Sequence, residues 1–106
     1  MFTINGRDWD VVFVPQKSKR LMRSDGSFTV GVTDGNYNTV FLANDLSDEF
    51  LRKVFCHELC HVFCMSYNIV MPIREEEFLA DFVATHGEDI IYLLDDLMPV
   101  LLRNVA

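Results

Sequence analysis

The chain of 106 residues has no surplus of positive charge and no uninterrupted apolar run of membrane-spanning length. Its formal net charge of −7 argues against a general nucleic-acid or anionic-membrane binder, because both partners demand a positive field. The stretch from Ile90 to Leu102 is broken by Asp95, Asp96 and Pro99, so no spanning helix is expected. Met1 to Ile4 is followed at once by Asn5, Gly6, Arg7 and Asp8, too soon for the apolar centre of a signal peptide. Cysteine is scarce. The three residues are odd in number and confined to Cys56–Cys64, which excludes a disulfide framework and points to reduced thiols and a cytoplasmic location. There are no repeats and no low-complexity tract.

What the chain does have is an apolar half, enough for one core and a single domain over residues 1–106. Its charge is uneven: five of nine basic residues fall in the first 23 positions, and fourteen of sixteen acids follow them. The segment from Lys17 to Arg23 therefore reads as a basic loop on an acidic body, either solvated or a docking point for an acidic partner or substrate.

The N-terminal part has strand character. Phe2–Ile4 and Trp9–Val14 flank an Asn5-Gly6 turn signal, and Pro15 closes the second strand. Ser27–Thr33 and Asn38–Ala43 read as a hairpin joined through Asp34-Gly35-Asn36, with Phe28, Val30 and Val32 alternating with smaller or polar residues. The period then becomes helical. Ser47 can cap a helix over Asp48–Ser66 whose first turn carries Asp48 and Glu49. A second helix is expected from Arg74 to a stop at Gly87, and a third from Glu88 through Leu102, bent or ended by Pro99. The fold class is α+β, an antiparallel sheet followed by helices.

The first helix contains His57-Glu58-Leu59-Cys60-His61, an H-E-x-x-H pattern. Histidines four apart lie on one helix face, where both imidazoles can reach one zinc ion, and the intervening glutamate can take a proton from an activated water. Apolar residues flank the motif on both sides, and unpartnered histidines on a half-buried helix are costly. A catalytic zinc needs a third protein ligand. Glu75, Glu76 and Glu77 follow after a loop and point in three directions around a helix. Glu77 is the choice, with Glu76 as the alternative. Glu77 shares a face with Ala80, Asp81 and Ala84, whose alanines allow close approach, and Asp81 can hold the second ring nitrogen of a ligand histidine.

Phe55–His61 followed by Glu77–Ala84 resembles the ImmA/IrrE family of small zinc endopeptidases, within the wider gluzincin arrangement. Val83 stands where that family usually has Phe. The resemblance covers about thirty residues well, and it implies a minimal zincin-like fold: a small sheet, the H-E-x-x-H helix, a glutamate helix and a C-terminal helix. It implies Zn2+ held by His57, His61 and Glu77, and peptide-bond hydrolysis with Glu58 as general base. The substrate it implies is a protein or peptide, for example a repressor in phage or mobile-element regulation. Such sites usually carry a further oxyanion donor, for which Tyr67 and His86 are candidates. A substrate would add to an edge strand, either Asn38–Ala43 or Ser27–Thr33.

Two competing readings concern other residues. Cys56, Cys60 and Cys64 form a stripe that could build a soft-metal site or simply pack in the core, and Cys60 with His86 could form a cysteine-peptidase pair. In the last helix Ile90, Ile91, Leu94, Leu97, Met98 and Leu101 fit one face that would complete the core. Its remaining apolar residues suit a partner or a homo-oligomer. A binding or regulatory module on the same scaffold is the alternative to an enzyme, and the presence of Glu58 favours the enzyme.

Overall fold

Asn5 and Gly6 both take positive φ, 50° and 77°, and so turn the chain tightly between β1 (Phe2–Ile4) and β2 (Arg7–Val14). The computed structural model describes residues 1–104. After β2 a short 3-10 turn, Lys19–Leu21, leads to β3 (Gly31–Asp34) and β4 (Thr39–Ala43). Two helices follow, α1 (Asp48–Ser66) and α2 (Ile73–Asn104). The molecule is α+β, with a small four-stranded sheet in the order β1-β2-β4-β3.

The sheet is mixed rather than antiparallel. β2 runs parallel to β4, with Asp10 opposite Thr39 and Val14 opposite Ala43, while the other two pairings are antiparallel. Residues 15–38 supply the crossover that a parallel pair requires. Alternation of side chains is the same in both kinds of ladder, so the pattern alone could not separate them. β4 is thereby central and buried along its whole length, and β3 is left as an edge. Val40 and Leu42 face α1, where they pack with Trp9, Val54 and Val62. Phe41 and Ala43 face the opposite side and are covered by Leu21 of the 3-10 turn.

The strand expected over Ser27–Thr33 starts only at Gly31. Before it, Asp25 accepts bonds from the Ser27 backbone and hydroxyl, Gly26 takes a φ of 86°, and a single bridge joins Met22 to Phe28. The basic segment is likewise tied down in part. Leu21 is wholly buried, and the Arg20 guanidinium lies 5.0 Å from the centre of the Tyr37 ring and 5.1 Å from that of Phe41.

α1 begins at Asp48 as expected, although the Ser47 side chain makes no capping bond. Its C-terminal end is fastened to the sheet. Trp9 Nε1 donates to Ser66 Oγ at 2.9 Å, Asn5 Nδ2 to the Ser66 carbonyl at 3.0 Å, and Arg7 to Asn38 and the Gly35 carbonyl. The Asn5 bond, with one from Arg7 Nη1 to the Met65 carbonyl at 3.4 Å, satisfies carbonyls that a helix end leaves open and places a cation near its negative pole.

The expected second and third helices are one helix of 32 residues, about 48 Å long. Gly87 does not end it: its φ is not positive, and a glycine permits a left-handed stop without forcing one. No proline follows within three residues, and Ile90, Ile91 and Leu94 continue the helical turn. Pro99 is carried inside the helix, leaving the Asp95 carbonyl without its usual partner. α2 runs antiparallel to α1 and leaves it near Glu88, whose carboxylate meets Arg52 beside the start of α1. Beyond that point Ile90, Ile91, Leu94, Leu97, Met98 and Leu101 are exposed, so this face does not complete the core. The projecting half helix accounts for the 57 Å long axis and for a radius of gyration of 16.5 Å, against about 13 Å for a compact chain of this size. Among the described residues no helix is long and apolar enough to cross a membrane.

Candidate metal centre

His57 and His61 lie one turn apart on the face of α1 turned toward α2, and the helical spacing brings their Nε2 atoms to 3.3 Å. Glu77, on the first turns of α2, reaches both: Oε2 is 3.2 Å from His57 Nε2, and Oε1 is 2.9 Å from His61 Nε2. Among the described residues, these three form the one group of side chains whose ligand atoms all lie within 4.8 Å of each other. Ligands about 2.0–2.1 Å from a tetrahedral zinc stand roughly 3.3 Å apart, so the spacing fits that ion.

The opposite ring nitrogens have partners of their own. Asp81 lies 2.8 Å from His57 Nδ1, and Glu76 lies 2.5 Å from His61 Nδ1. A carboxylate at Nδ1 draws the imidazole proton there and leaves the lone pair on Nε2. Two such lone pairs and the Glu77 carboxylate then converge with no proton donor among them, an arrangement that a shared cation stabilises. Both carboxylates come from α2, three and eight residues into the helix. Glu76 thus sits behind His61 rather than in the position of third ligand. Asp81 occupies the place expected of it.

Glu58 is buried beside the cluster, with Oε2 3.9 Å from His57 Nε2. Thr33 Oγ1 on β3 lies 2.9 Å from Glu58 Oε1 and 3.1 Å from the Glu58 carbonyl, sharing one proton between them. Burial pushes the Glu58 carboxyl above the ordinary value, and the Thr33 bond and the two histidines only partly offset this. Gly31 makes the approach possible. A Cβ there would stand 2.9 Å from Val54 Cγ1 and 3.1 Å from Glu58 Cγ, so a larger residue would force β3 away from α1.

A cleft of about 470 Å3 opens over these groups, bounded by β3 residues 31–33, Met65 and Ile73. A second lobe of about 280 Å3 continues past Phe50, Lys53 and Ala84. Arg23, from the end of the basic segment, lines both lobes and faces the acids across the cleft. Neither suggested oxyanion donor is there. Tyr67 caps α1 and stacks on Phe63 with ring centres 6.0 Å apart, and His86 packs against Phe82 at 5.2 Å. Tyr67 lies just past the end of α1 and His86 lies within α2, and sequence proximity could not show which way they turn.

The cysteine readings also change. Cys64 is buried and Cys56 and Cys60 partly so, and burial raises all three thiols, Cys60 to about 11. A protonated thiol is neither a nucleophile nor a ready metal ligand. Cys56 faces the Val83 carbonyl of α2 at 3.9 Å, consistent with packing between the helices.

Thr33, Gly31, Arg23 and the role of Glu76 were not legible in the sequence. A threonine in a strand and a glycine in an alternating pattern carry no local signal of partners 23 and 25 residues away. Comparison with protein-family models, with curated proteins and with solved structures finds no match to this chain.

Proposed function

We propose that the chain is a zinc-dependent endopeptidase with a minimal zincin-like fold, similar to the ImmA/IrrE family and acting in the cytoplasm on a protein or peptide. The observation that carries this reading is the convergence of two carboxylate-held histidines and Glu77 beside a buried glutamate, in an open cleft. A zinc ion held by His57, His61 and Glu77 supplies a Lewis acid and brings the acidity of water close to neutrality.

The other steps belong to the chain itself. Glu58 takes the proton of the attacking water and passes it to the departing amine, a double duty suited to a carboxyl whose affinity for protons burial has raised. Thr33 fixes the carboxylate toward the cleft. The free edge of β3 runs along the same cleft and can align an extended peptide through backbone hydrogen bonds, which gives affinity with little sequence selectivity. A repressor of a phage or mobile element is the kind of substrate the family resemblance suggests.

The test combines metal content with cleavage. The wild type is expected to bind one zinc and to cut an unstructured protein such as casein, whereas Glu58→Gln keeps the zinc and loses the cutting. A zinc-loaded wild type that cuts nothing in a broad panel of proteins would instead favour a binding or regulatory module. Loss of zinc from neither Glu77→Ala nor His61→Ala would reject the metal site itself.

A further inference from the structure

One row of α2 lies against α1: Glu76, Ala80, Val83 and Gly87, spaced by four, three and four, are buried or half-buried, Ala80 wholly so, with half-buried Ala84 beside them. Past the end of α1 the same spacing continues as Ile90, Leu94, Leu97 and Leu101. From Ala80 onward the row thus passes from Ala80, Val83 and Gly87, where α1 lies against it, to large aliphatic residues, which no other described element covers. The positions flanking this extension are apolar as well: Ile91, Leu93, Met98 and Val100. Asp89, Asp95, Asp96, Pro99 and Arg103 fall on the other side of the helix. A stripe this wide is broader than the narrow seam of a two-stranded coiled coil and fits contact with more than one surface.

We propose that two copies of this chain pair through these projecting half helices, antiparallel, about a two-fold axis passing between Asp95 and Asp96. Three features of the fold converge on that arrangement. Leu94 then faces the partner's Leu97, and Ile90 faces the partner's Leu101, so the seam is complementary to itself as a two-fold contact requires. Asp95 and Asp96 stay on the solvent side, away from their like-charged counterparts. Finally, the tip of each helix arrives beside Glu88, which borders an apolar groove of about 690 Å3 lined by Leu51, Phe55 and Leu59 of α1. The wide stripe therefore meets both a helix and a groove.

The area is adequate. The apolar side chains of this stripe are 38–57 % exposed, presenting roughly 800 Å2 per chain. Two such faces buried together reach the size of a standard stable interface, about 1,600 Å2 in total. Because the contact is isologous it closes at two copies and leaves no face for further growth.

Sedimentation equilibrium of the full chain tests this directly. The wild type is expected to be a dimer at about 10 µM, and the double variant Leu94→Glu/Leu97→Glu a monomer, its dimer constant weakened more than about 100-fold. Retained Trp9 fluorescence and zinc binding in that variant distinguish lost pairing from lost folding. A wild type that stays monomeric at about 100 µM, a dimer that survives the double variant, or assemblies of no fixed size would each overturn the proposal.

Discussion

Loss of the carboxylates behind the histidines should weaken zinc binding unequally, and burial sets the order. Glu76 and Asp81 do the same work on paper: each accepts the Nδ1 proton of one histidine. Removing such a partner costs metal sites roughly 10- to 100-fold in affinity, about 1.4–2.7 kcal/mol. The Glu76 side chain is 13 % exposed, whereas that of Asp81 is 74 % exposed. Water can replace Asp81 as acceptor and already screens its charge, so Asp81→Ala should fall near the lower limit, about tenfold. Water has little access to His61, and Glu76→Ala should fall near the upper limit, about 100-fold. Glu76→Gln keeps an acceptor without the charge and should recover part of the loss. Competition for zinc with a chromophoric chelator measures each constant, and the single, wholly buried Trp9 reports in the same samples that the fold persists. Equal losses, a larger loss at Asp81, or constants within about twofold of the wild type would refute the assignment of these carboxylates.

Two further outcomes follow from the packing. Gly31→Ala should destabilise the protein by about 1–3 kcal/mol in urea unfolding followed through Trp9, since its Cβ meets Val54 and Glu58 too closely; an unchanged midpoint would show that β3 moves away at no cost. The raised Cys60 thiol should react slowly with iodoacetamide at neutral pH. The fold favours its neutral form, so this thiol's contribution to stability is present below pH 9 and is lost as pH rises from 9 toward 11, where the unfolded chain ionises first. Cysteine-to-serine exchange at Cys60 should flatten that part of the stability curve.

Local chemistry was the legible part of this chain. The H-E-x-x-H spacing places two imidazoles on one helix face whatever surrounds them, and the Ala80, Asp81 and Ala84 pattern marked the side of α2 that meets α1. The β1–β2 turn was written in Asn5-Gly6. What escaped notice depended on distant partners. Whether β2 pairs parallel with β4 is decided by the path of residues 15–38, which leaves no trace in alternation. Gly87 offered a stop that the next turn of aliphatic residues overrode. The row from Ile90 to Leu101 has the period of a core-facing helix, yet periodicity names a face and not its neighbour, and within one chain that neighbour is missing. The basic segment was read as a unit, whereas Leu21, Arg20 and Arg23 each go to a different destination.

α2 buries a single residue, Ala80, yet supplies Glu76, Glu77 and Asp81. A helix with so little apolar anchorage is held to the body mainly by the polar groups around the two histidines and by the exposed Arg52–Glu88 pair, which contributes little. On the proposed reading, docking of this helix and capture of a cation would be linked in one equilibrium. A ligand present at about 1,000 times its dissociation constant adds about 4.1 kcal/mol to the state that binds it, more than one small buried side chain can supply. The ion would act as the clasp of the molecule's last third, and scarcity of metal would be felt first as a loosened helix, before any loss from the sheet.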